Sequence, residues 1–180
     1  MTLVWIDLET TGLNPYTDKI MEIAVIITTI ELTEVARAEW VVYLDKNDLE
    51  FMDPWCVEQH GKSGLTKRSL ESKLGLVEIE QKVLEFLSGH VPKGQGVLCG
   101  NSVHFDKEFL RSSMVCVLEY LHFRIIDVST VRKLIKNWCP ENLDNAPIKT
   151  YSHTAMSDIQ ESIEELRWYW SEVFKKASKA

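Results

Sequence analysis

A chain of 180 residues with 45% hydrophobic and 26% charged side chains is typical of a single globular domain, which excludes a disordered or fibrous protein. Its 27 acidic and 20 basic residues give a net charge of −7, so a protein that grips long duplexes through a basic surface is also excluded. No apolar run approaches the ~20 residues of a membrane span, and we expect no targeting segment before the first predicted strand.

The first predicted strand is apolar from Leu3 to Ile6 and then carries two carboxylates, Asp7 and Glu9, at alternate positions. Residues i and i+2 of a strand project from one face, so these two side chains are expected to lie side by side. Adjacent negative charges at the end of a buried strand repel each other and lose hydration. Protons, basic partners, water or a metal ion can compensate them, and the residues alone leave these alternatives open.

The later elements change from strands to an alternation of helices and strands. After a turn-rich break at 11–15, strands are predicted over 21–29, 39–44, 97–100 and 123–127. Helices are predicted over about 76–87, 106–114, 128–138 and 156–174, with an irregular segment at 139–151. Three antiparallel strands followed by two strands joined through helices predict a mixed α/β sheet with helices on its faces.

Further acidic residues follow the later predicted strands. Asp106 comes after the strand at 97–100, and Asp158 follows His153 by five residues in HTAMSD. Ligand sites of open α/β sheets form at the carboxyl ends of strands, so these side chains can converge with Asp7 and Glu9. Taken singly, Asp106 is more typical of a helix cap, Asp158 of a solvated side chain and His153 of a loop histidine.

The four cysteines carry no metal-binding pattern. They are scattered without CxxC spacing, at Cys56, Cys99, Cys116 and Cys139. We expect reduced thiols that contribute to packing, in preference to a zinc site that pairs some of them with histidines.

Together the acidic motifs resemble the DEDDh group of 3′-to-5′ exonucleases, which have a DxE strand, a mid-chain Asp and an H-x4-D motif before the last helix. Within that group the chain is similar to the oligoribonucleases over nearly its full length, through WIDLETTGL, 55–60, GNSVHFDKEFL, RIIDVSTVRKL and HTAMSDIQESIEELRWY. The resemblance implies one exonuclease domain over 1–180 with an RNase H-like α/β fold, a mixed five-stranded sheet with helices on both faces. It also implies a homodimer that degrades very short single-stranded RNA, especially dinucleotides, to nucleoside monophosphates.

The resemblance assigns the catalytic chemistry to five residues. Two divalent ions, Mg²⁺ or Mn²⁺, are expected to be held by Asp7, Glu9, Asp106 and Asp158. Without cations, four carboxylates would repel a phosphodiester, and two ions can stabilise both the attacking and the leaving oxygen. Oxygen ligands suit Mg²⁺ or Mn²⁺. His153 is the expected general base, because a histidine can accept a proton from water at neutral pH.

A second set of residues resembles those that hold the substrate. Leu13 and Trp55 correspond to residues that wedge and stack the terminal bases, although Trp55 alone is equally consistent with a core residue. The group that holds the terminal phosphate corresponds to His60, Ser102, Arg124, Ser129 and Thr130. Phe123 departs from the family, which commonly has Tyr there, contributed across the dimer. Its ring can still stack, but the hydroxyl is absent. Tyr120 or a water molecule replaces that hydroxyl, or else the enzyme holds the substrate more loosely.

Two other functions compete with this one. A related exonuclease could trim or proofread longer single-stranded RNA or DNA, but the acidic net charge disfavours it. A catalytically silent nucleic-acid-binding module would not need five clustered site residues. We expect a cytoplasmic protein, for which an organellar form is also compatible with the sequence.

Overall fold

The computed structural model describes residues 1–143, 145–147 and 154–174. Within these ranges the strands are β1 (Thr2–Thr10), β2 (Ile20–Thr29), β3 (Glu34–Val41), β4 (Gly96–Gly100) and β5 (His122–Asp127). The helices are α1 (Lys46–Glu50), α2 (Pro54–Lys62), α3 (Leu65–Glu71), α4 (Leu76–Ser88), α5 (His104–Ser113), α6 (Val115–Tyr120), α7 (Val128–Trp138) and α8 (Ala155–Tyr169). A 3₁₀ turn at Pro140–Leu143 follows α7, and a π-helical turn at Trp170–Phe174 follows α8.

The strands form one mixed sheet in the order β3-β2-β1-β4-β5. β1 and β2 are antiparallel, as are β2 and β3, whereas β4 is parallel to both β1 and β5. This topology confirms the predicted mixed α/β sheet. The pairing of β4 with β1 ends at Trp5 and Cys99, so the last residues of β1 extend beyond β4. That extension is where the two carboxylates of DxE lie.

Alternate residues of β1 pack into different cores on the two faces of the sheet. Val4, Ile6 and Leu8 belong to a core shared with α2 to α6. Leu3 and Trp5 belong to the core shared with α7 and α8. Helices therefore cover both faces, as predicted. Because side chains alternate along a strand, Asp7 and Glu9 continue the face that α8 covers.

Boundaries at one edge of the sheet differ from the prediction of a strand at 39–44. β3 spans Glu34–Val41, and most of its side chains are exposed or half-exposed. The charged first half of this edge strand concealed its pairing with β2 from a search for apolar runs. After Val41 the chain leaves the sheet, where the Tyr43 amide donates to the Leu74 carbonyl at 2.7 Å.

Several short helices were not predicted, and their start signals are local. The Asp45 side chain accepts from two amides at the start of α1, and Asp53 accepts from the Trp55 amide before α2, which has Pro54 at its first position. The helices α3 and α6 lack such side-chain caps. The final helix was predicted over 156–174, which matches α8 and its π-helical extension to within one residue.

The four cysteines differ in burial. Cys56 and Cys99 are buried, Cys116 is exposed and Cys139 is partly buried, and none of the four forms a disulfide. In the part of the chain that the structure describes, no helix combines the length and apolar character needed to cross a bilayer.

Candidate active site

Three carboxylates from distant parts of the chain meet at the end of β1. Asp7, Glu9 and Asp158 each offer one oxygen, and these oxygens lie within 4.8 Å of one another. The extended backbone of β1 brings the first two side by side, and the first turn of α8 supplies the third. All three side chains are half-buried. Such a set of oxygen ligands could hold a divalent cation.

Asp106 lies against the backbone between the two carboxylates of β1. Its Oδ1 accepts a hydrogen bond from the Leu8 amide at 3.0 Å. Because β4 has ended by this point, the Asp106 side chain satisfies an amide that the sheet leaves without a strand partner. Asp106 sits in the first turn of α5, whose N-cap is Val103, so the alternative interpretation of Asp106 as the helix cap is wrong.

The electrostatics of this cluster favour uptake of positive charge. Burial raises the pKa of Glu9 to about 8, with further increases from the charges of Asp158, Glu22 and Asp106, against a smaller lowering by Arg68. Burial likewise raises the pKa of Asp106 to about 7, although the hydrogen bond from Leu8 opposes the shift. In the absence of cations, protons reduce the mutual repulsion. A divalent cation can replace those protons, so the donor set fits the expected metal.

The predicted general base, His153, lies outside the described residues. Its role stays a prediction that depends on its position five residues before Asp158 in the chain. The described part of this region begins at Thr154, whose carbonyl accepts from the Asp158 amide at 3.0 Å.

Leu13 and Trp55 are both exposed beside the carboxyl end of β1. Leu13 is 78% exposed and Trp55 is 54% exposed. The Asp53 amide donates to the Thr11 carbonyl at 2.8 Å, which ties the start of α2 to the turn that carries Leu13. The interpretation of Trp55 as a core residue is therefore wrong. An exposed indole and an exposed leucine near the carboxylates suit contacts with bases.

Gly12 allows the turn before Leu13 to close. A Cβ at Gly12 would lie 2.6 Å from a carboxylate oxygen of Asp18. That carboxylate accepts from the Asn14 amide at 2.8 Å and from the Thr11 hydroxyl at 3.3 Å. A side chain at position 12 would therefore displace the Asp18 carboxylate from these two hydrogen bonds.

His60 is buried against the carboxylate cluster. Its imidazole is 1% exposed, with Nε2 2.9 Å from the Thr10 carbonyl and Nδ1 3.9 Å from Glu9 Oε2. Both of these contacts are with the end of β1. The predicted contact with a terminal phosphate stays a prediction.

Ser102 and Ser129 meet where β4 and β5 end. Their hydroxyl oxygens are 3.3 Å apart, and the Ser102 amide donates to Ser129 Oγ at 3.2 Å. Asp127 organises the pair, since its Oδ1 accepts from the Ser102 amide at 3.1 Å and from the Ser129 hydroxyl at 2.5 Å. Ser102 takes a left-handed φ of 52°, a strained conformation for serine that these hydrogen bonds hold.

Phe123 and Arg124 protrude from the edge strand β5. The register jumps from Val97 opposite His122 to Leu98 opposite Ile125, so both residues bulge out of the pairing. Both are exposed, and the Arg124 guanidinium lies 5.3 Å from the centroid of the Phe123 ring.

The last phosphate candidate, Thr130, and the proposed hydroxyl substitute, Tyr120, have different surroundings. Thr130 is exposed in the first turn of α7, beside Ser129. Tyr120, one of the proposed replacements for the missing hydroxyl at Phe123, donates its hydroxyl proton to the Val91 carbonyl at 2.7 Å. That proton is already used within the fold, which disfavours Tyr120 as the replacement.

Sequence reasoning missed three charged residues near the site. Asp127 was included only as the end of a strand, although an Asp before Ser and Thr at a strand-to-helix junction is a capping signal. Glu22 was passed over within an apolar run, although a charged residue in a strand of that kind is itself unusual. Arg68, which pairs with Glu22 at 2.8 Å, carried no signal in the sequence.

The chain matches known exonucleases along most of its length. The family model described as Exonuclease matches residues 4–166. The mitochondrial oligoribonuclease of Mus musculus is 45% identical over 97% of this chain and 74% of its own length. The oligoribonuclease of Colwellia psychrerythraea is 43% identical over 96% of both chains, and that of Arabidopsis thaliana is 47% identical over 96% of this chain and 78% of its own.

Solved structures agree on the fold. Exonuclease I from Methylocaldum szegediense superposes with a TM-score of 0.76 at 19% identity, covering 97% of this chain and 41% of that one. Exonuclease I from E. coli in complex with a dA16 oligonucleotide superposes with a TM-score of 0.76 at 17% identity. The match covers 97% of this chain and 42% of that one. The chain thus spans about two fifths of those structures and shares their RNase H-like fold. From the match over residues 4–166 and the 43% to 47% identity with these relatives, the chain belongs to the oligoribonuclease family of exonucleases.

Proposed function

We propose that this chain is a hydrolase that degrades very short single-stranded oligoribonucleotides, dinucleotides above all, in the 3′-to-5′ direction to nucleoside monophosphates. The observation that carries the proposal is the cluster of Asp7, Glu9 and Asp158, whose oxygens lie within 4.8 Å of one another beside exposed Leu13 and Trp55. Relatives named oligoribonuclease, 43% to 47% identical over nearly the whole chain, support this choice of substrate.

The cluster is suited to two divalent cations, Mg²⁺ or Mn²⁺. Asp7, Glu9 and Asp158 would hold them through carboxylate oxygens, and Asp106 would contribute the oxygen that Leu8 does not engage. When bound, the cations supply positive charge for the attacking and leaving oxygens of the phosphodiester. The chain's own contribution is to hold four carboxylates at one strand end, half-buried or buried, where water competes little with them.

The remaining site residues act on the substrate and on the proton. His153, five residues before Asp158 in the chain, takes the proton from the attacking water. Leu13 and Trp55 hold the terminal bases through apolar and stacking contacts, which every base can make. His60, buried behind Glu9 and Thr10, keeps the end of β1 in place.

The residues that hold the 5′-phosphate close one end of the binding site, and this closed end selects the length of the substrate. Arg124 pairs with a 5′-phosphate through two parallel hydrogen bonds, and the hydroxyls of Ser102 and Thr130 donate to the same group. Ser129 joins them by exchanging its hydrogen bond to Asp127 for one to the phosphate. Because Phe123 and Arg124 bulge from an exposed sheet edge, a second copy of the chain can place them in the neighbouring site of a homodimer. The 180 residues act as one exonuclease domain, in the cytoplasm or in an organelle.

A length series tests the proposal. Purified protein with Mn²⁺ is given 5′-phosphorylated RNA of increasing length from the dinucleotide upward, together with DNA of the same sequence. We expect the dinucleotide to be cleaved fastest and a chelator to abolish cleavage. Asp158→Asn serves as the matched inactive control for contaminating nucleases. Rates that climb steadily with length would favour a trimming exonuclease, and binding without any cleavage would favour a silent binding module.

A further inference from the structure

The buried carboxylate of Glu22 lies beside the candidate metal site without being part of it. Glu22 is 1% exposed and stands directly opposite Glu9 in the pairing of β1 with β2. Side chains of directly opposed residues in antiparallel strands share one face of the sheet. A fifth carboxylate therefore lies next to Asp106 and the three whose oxygens converge.

The two oxygens of Glu22 have different surroundings. Oε1 is 2.8 Å from the guanidinium of Arg68. Oε2 is buried and has no hydrogen-bond partner among the described residues. A buried charged oxygen that lacks a donor is costly, and such groups in native proteins usually accept from water or a ligand. The position of Glu22 requires a donor that the described side chains and backbone do not provide.

A hydrated divalent cation at the neighbouring carboxylates would provide that donor. Mg²⁺ and Mn²⁺ usually keep several waters when a few carboxylates bind them, and those waters are strong donors that need acceptors. Glu22 is not one of the three residues whose oxygens converge within 4.8 Å, so it is placed to act from outside the inner set of ligands.

We propose that Glu22 positions the metal site as an outer-sphere residue, with Oε2 accepting a hydrogen bond from the hydration shell of the cation at Asp7, Glu9 and Asp158. Arg68 holds Oε1 and offsets part of the added negative charge, which makes a fifth carboxylate tolerable there. This inference depends on the metal site of the proposed function.

Direct titration with Mn²⁺ tests the role of Glu22 without relying on activity. Free Mn²⁺ is followed by electron paramagnetic resonance for the wild type, Glu22→Gln and Glu22→Asp. Loss of an outer-sphere partner typically weakens metal binding by about 10- to 100-fold, and we expect that range for Glu22→Gln. Glu22→Asp keeps the charge but withdraws the oxygen, so it is also expected to bind Mn²⁺ more weakly than the wild type.

Glu165→Gln is the matched control. Glu165 is also a buried carboxylate paired with an arginine, Arg132 at 3.3 Å, but it lies two turns beyond Asp158 on α8. We expect Glu165→Gln to leave Mn²⁺ affinity unchanged. The rise in melting temperature with added Mn²⁺ gives a second reading of affinity for any variant that is only marginally stable.

Two results would overturn the inference while leaving the proposed function intact. In the first, Glu22→Gln binds Mn²⁺ as tightly as the wild type. In the second, Glu22→Gln binds Mn²⁺ more weakly than the wild type but Glu22→Asp does not. Glu22 would then act on the cation only through its negative charge at long range. If the wild type itself neither binds Mn²⁺ nor cleaves a dinucleotide, the proposed function fails instead.

Discussion

At the residue scale, Asp106 combines two tasks that are usually separate. One oxygen completes the hydrogen bonding of β1 through the Leu8 amide, and the same carboxylate adds negative charge next to Glu9. The first task needs only an acceptor, whereas the second needs an anion. An amide side chain of the same size can therefore separate the two tasks.

Asp106→Asn should keep the fold and lose the reaction. Its carbonyl oxygen can still accept from Leu8, so we expect a melting temperature equal to or above that of the wild type at neutral pH. Removal of an anionic ligand should lower kcat by about 100-fold or more at saturating Mn²⁺. Steady-state rates together with thermal unfolding check this. Turnover near that of the wild type would show that Asp106 does not hold a cation.

His153→Ala should separate binding from chemistry. Loss of a general base typically lowers the rate by ~10²–10⁴-fold, while Mn²⁺ and dinucleotide binding should persist. Calorimetric titration measures binding, and single-turnover kinetics measures the chemical step. If weaker substrate binding accounts for the whole loss of rate, His153 is a binding residue and not the base.

The carboxylates were predictable from the sequence because strand alternation alone puts Asp7 beside Glu9. The burial of His60 and Glu22 beside these carboxylates could not be predicted from the sequence, because it depends on how α2 and β2 pack around β1. No local pattern around Glu22 indicates the arginine on α3 that pairs with it.

At the element scale, the edge strand β5 carries a bulge that exposes two adjacent side chains on one short segment. Register in β4 and β5 resumes only at Leu98 and Ile125, so Phe123 and Arg124 are free of the constraints of pairing. Bulges of this kind re-aim side chains at strand edges. The sequence predicted strand β5 but not the bulge, because both exposed residues also fit a regular edge strand.

Arg124→Ala should discriminate between substrates with and without a 5′-phosphate. Loss of charge-assisted hydrogen bonds should lower kcat/KM about 10- to 100-fold for the 5′-phosphorylated dinucleotide and much less for the unphosphorylated one. Arg124→Lys should restore only part of the loss, since Lys lacks the fork geometry. Arg37→Ala is a matched control, because Arg37 is also an exposed arginine on an edge strand, β3. Equal losses on both substrates would contradict the closed end.

Phe123→Tyr tests whether the family's hydroxyl has an equivalent in this chain. If a water molecule replaces it, or if the substrate is held more loosely, the added hydroxyl should lower KM for dinucleotides by a few-fold without changing kcat. A hydrogen bond of ordinary strength contributes ~1 kcal/mol, which sets that scale. An unchanged KM would indicate that the stacked ring alone makes the contact. Phe123→Leu is the control that removes the ring as well.

At the scale of the whole molecule, the central strand β1 is buried on both faces and ends in two carboxylates at the edge of the sheet. β1 contributes Trp5 and Ile6 to two different cores and places Asp7 and Glu9 directly after them. The fold class, a mixed α/β sheet, followed from the order of strands and helices along the chain. The bounds of β3 and the short helices α1 to α3 did not follow, because tertiary packing and single caps decide such segments.

This arrangement couples global stability to pH and to metal. In the metal-free protein, burial raises the pKa of Glu9 from 4.5 to about 8 and that of Asp106 from 3.8 to about 7, so near neutral pH the folded state holds protons that the unfolded chain has released. A folded state that binds more protons loses stability as pH rises. The contribution of Glu9 and Asp106 to the free energy of unfolding is fully present below about pH 4. It is lost as the pH rises through about 8.

We therefore expect chelator-treated protein to have a lower free energy of unfolding near pH 8 than near pH 5.5. The double variant Glu9→Gln, Asp106→Asn should show a flatter dependence, because it removes both titrating groups without changing volume. Mn²⁺ competes with the protons, so it should raise the melting temperature of the wild type more near pH 8 than near pH 5.5 and should leave the double variant almost unchanged. Scanning calorimetry with chelator and with Mn²⁺ at both pH values measures all of these quantities. Equal stabilisation of wild type and double variant by Mn²⁺ would place the cation elsewhere, and the carboxylates at the end of β1 would then need another explanation for their burial.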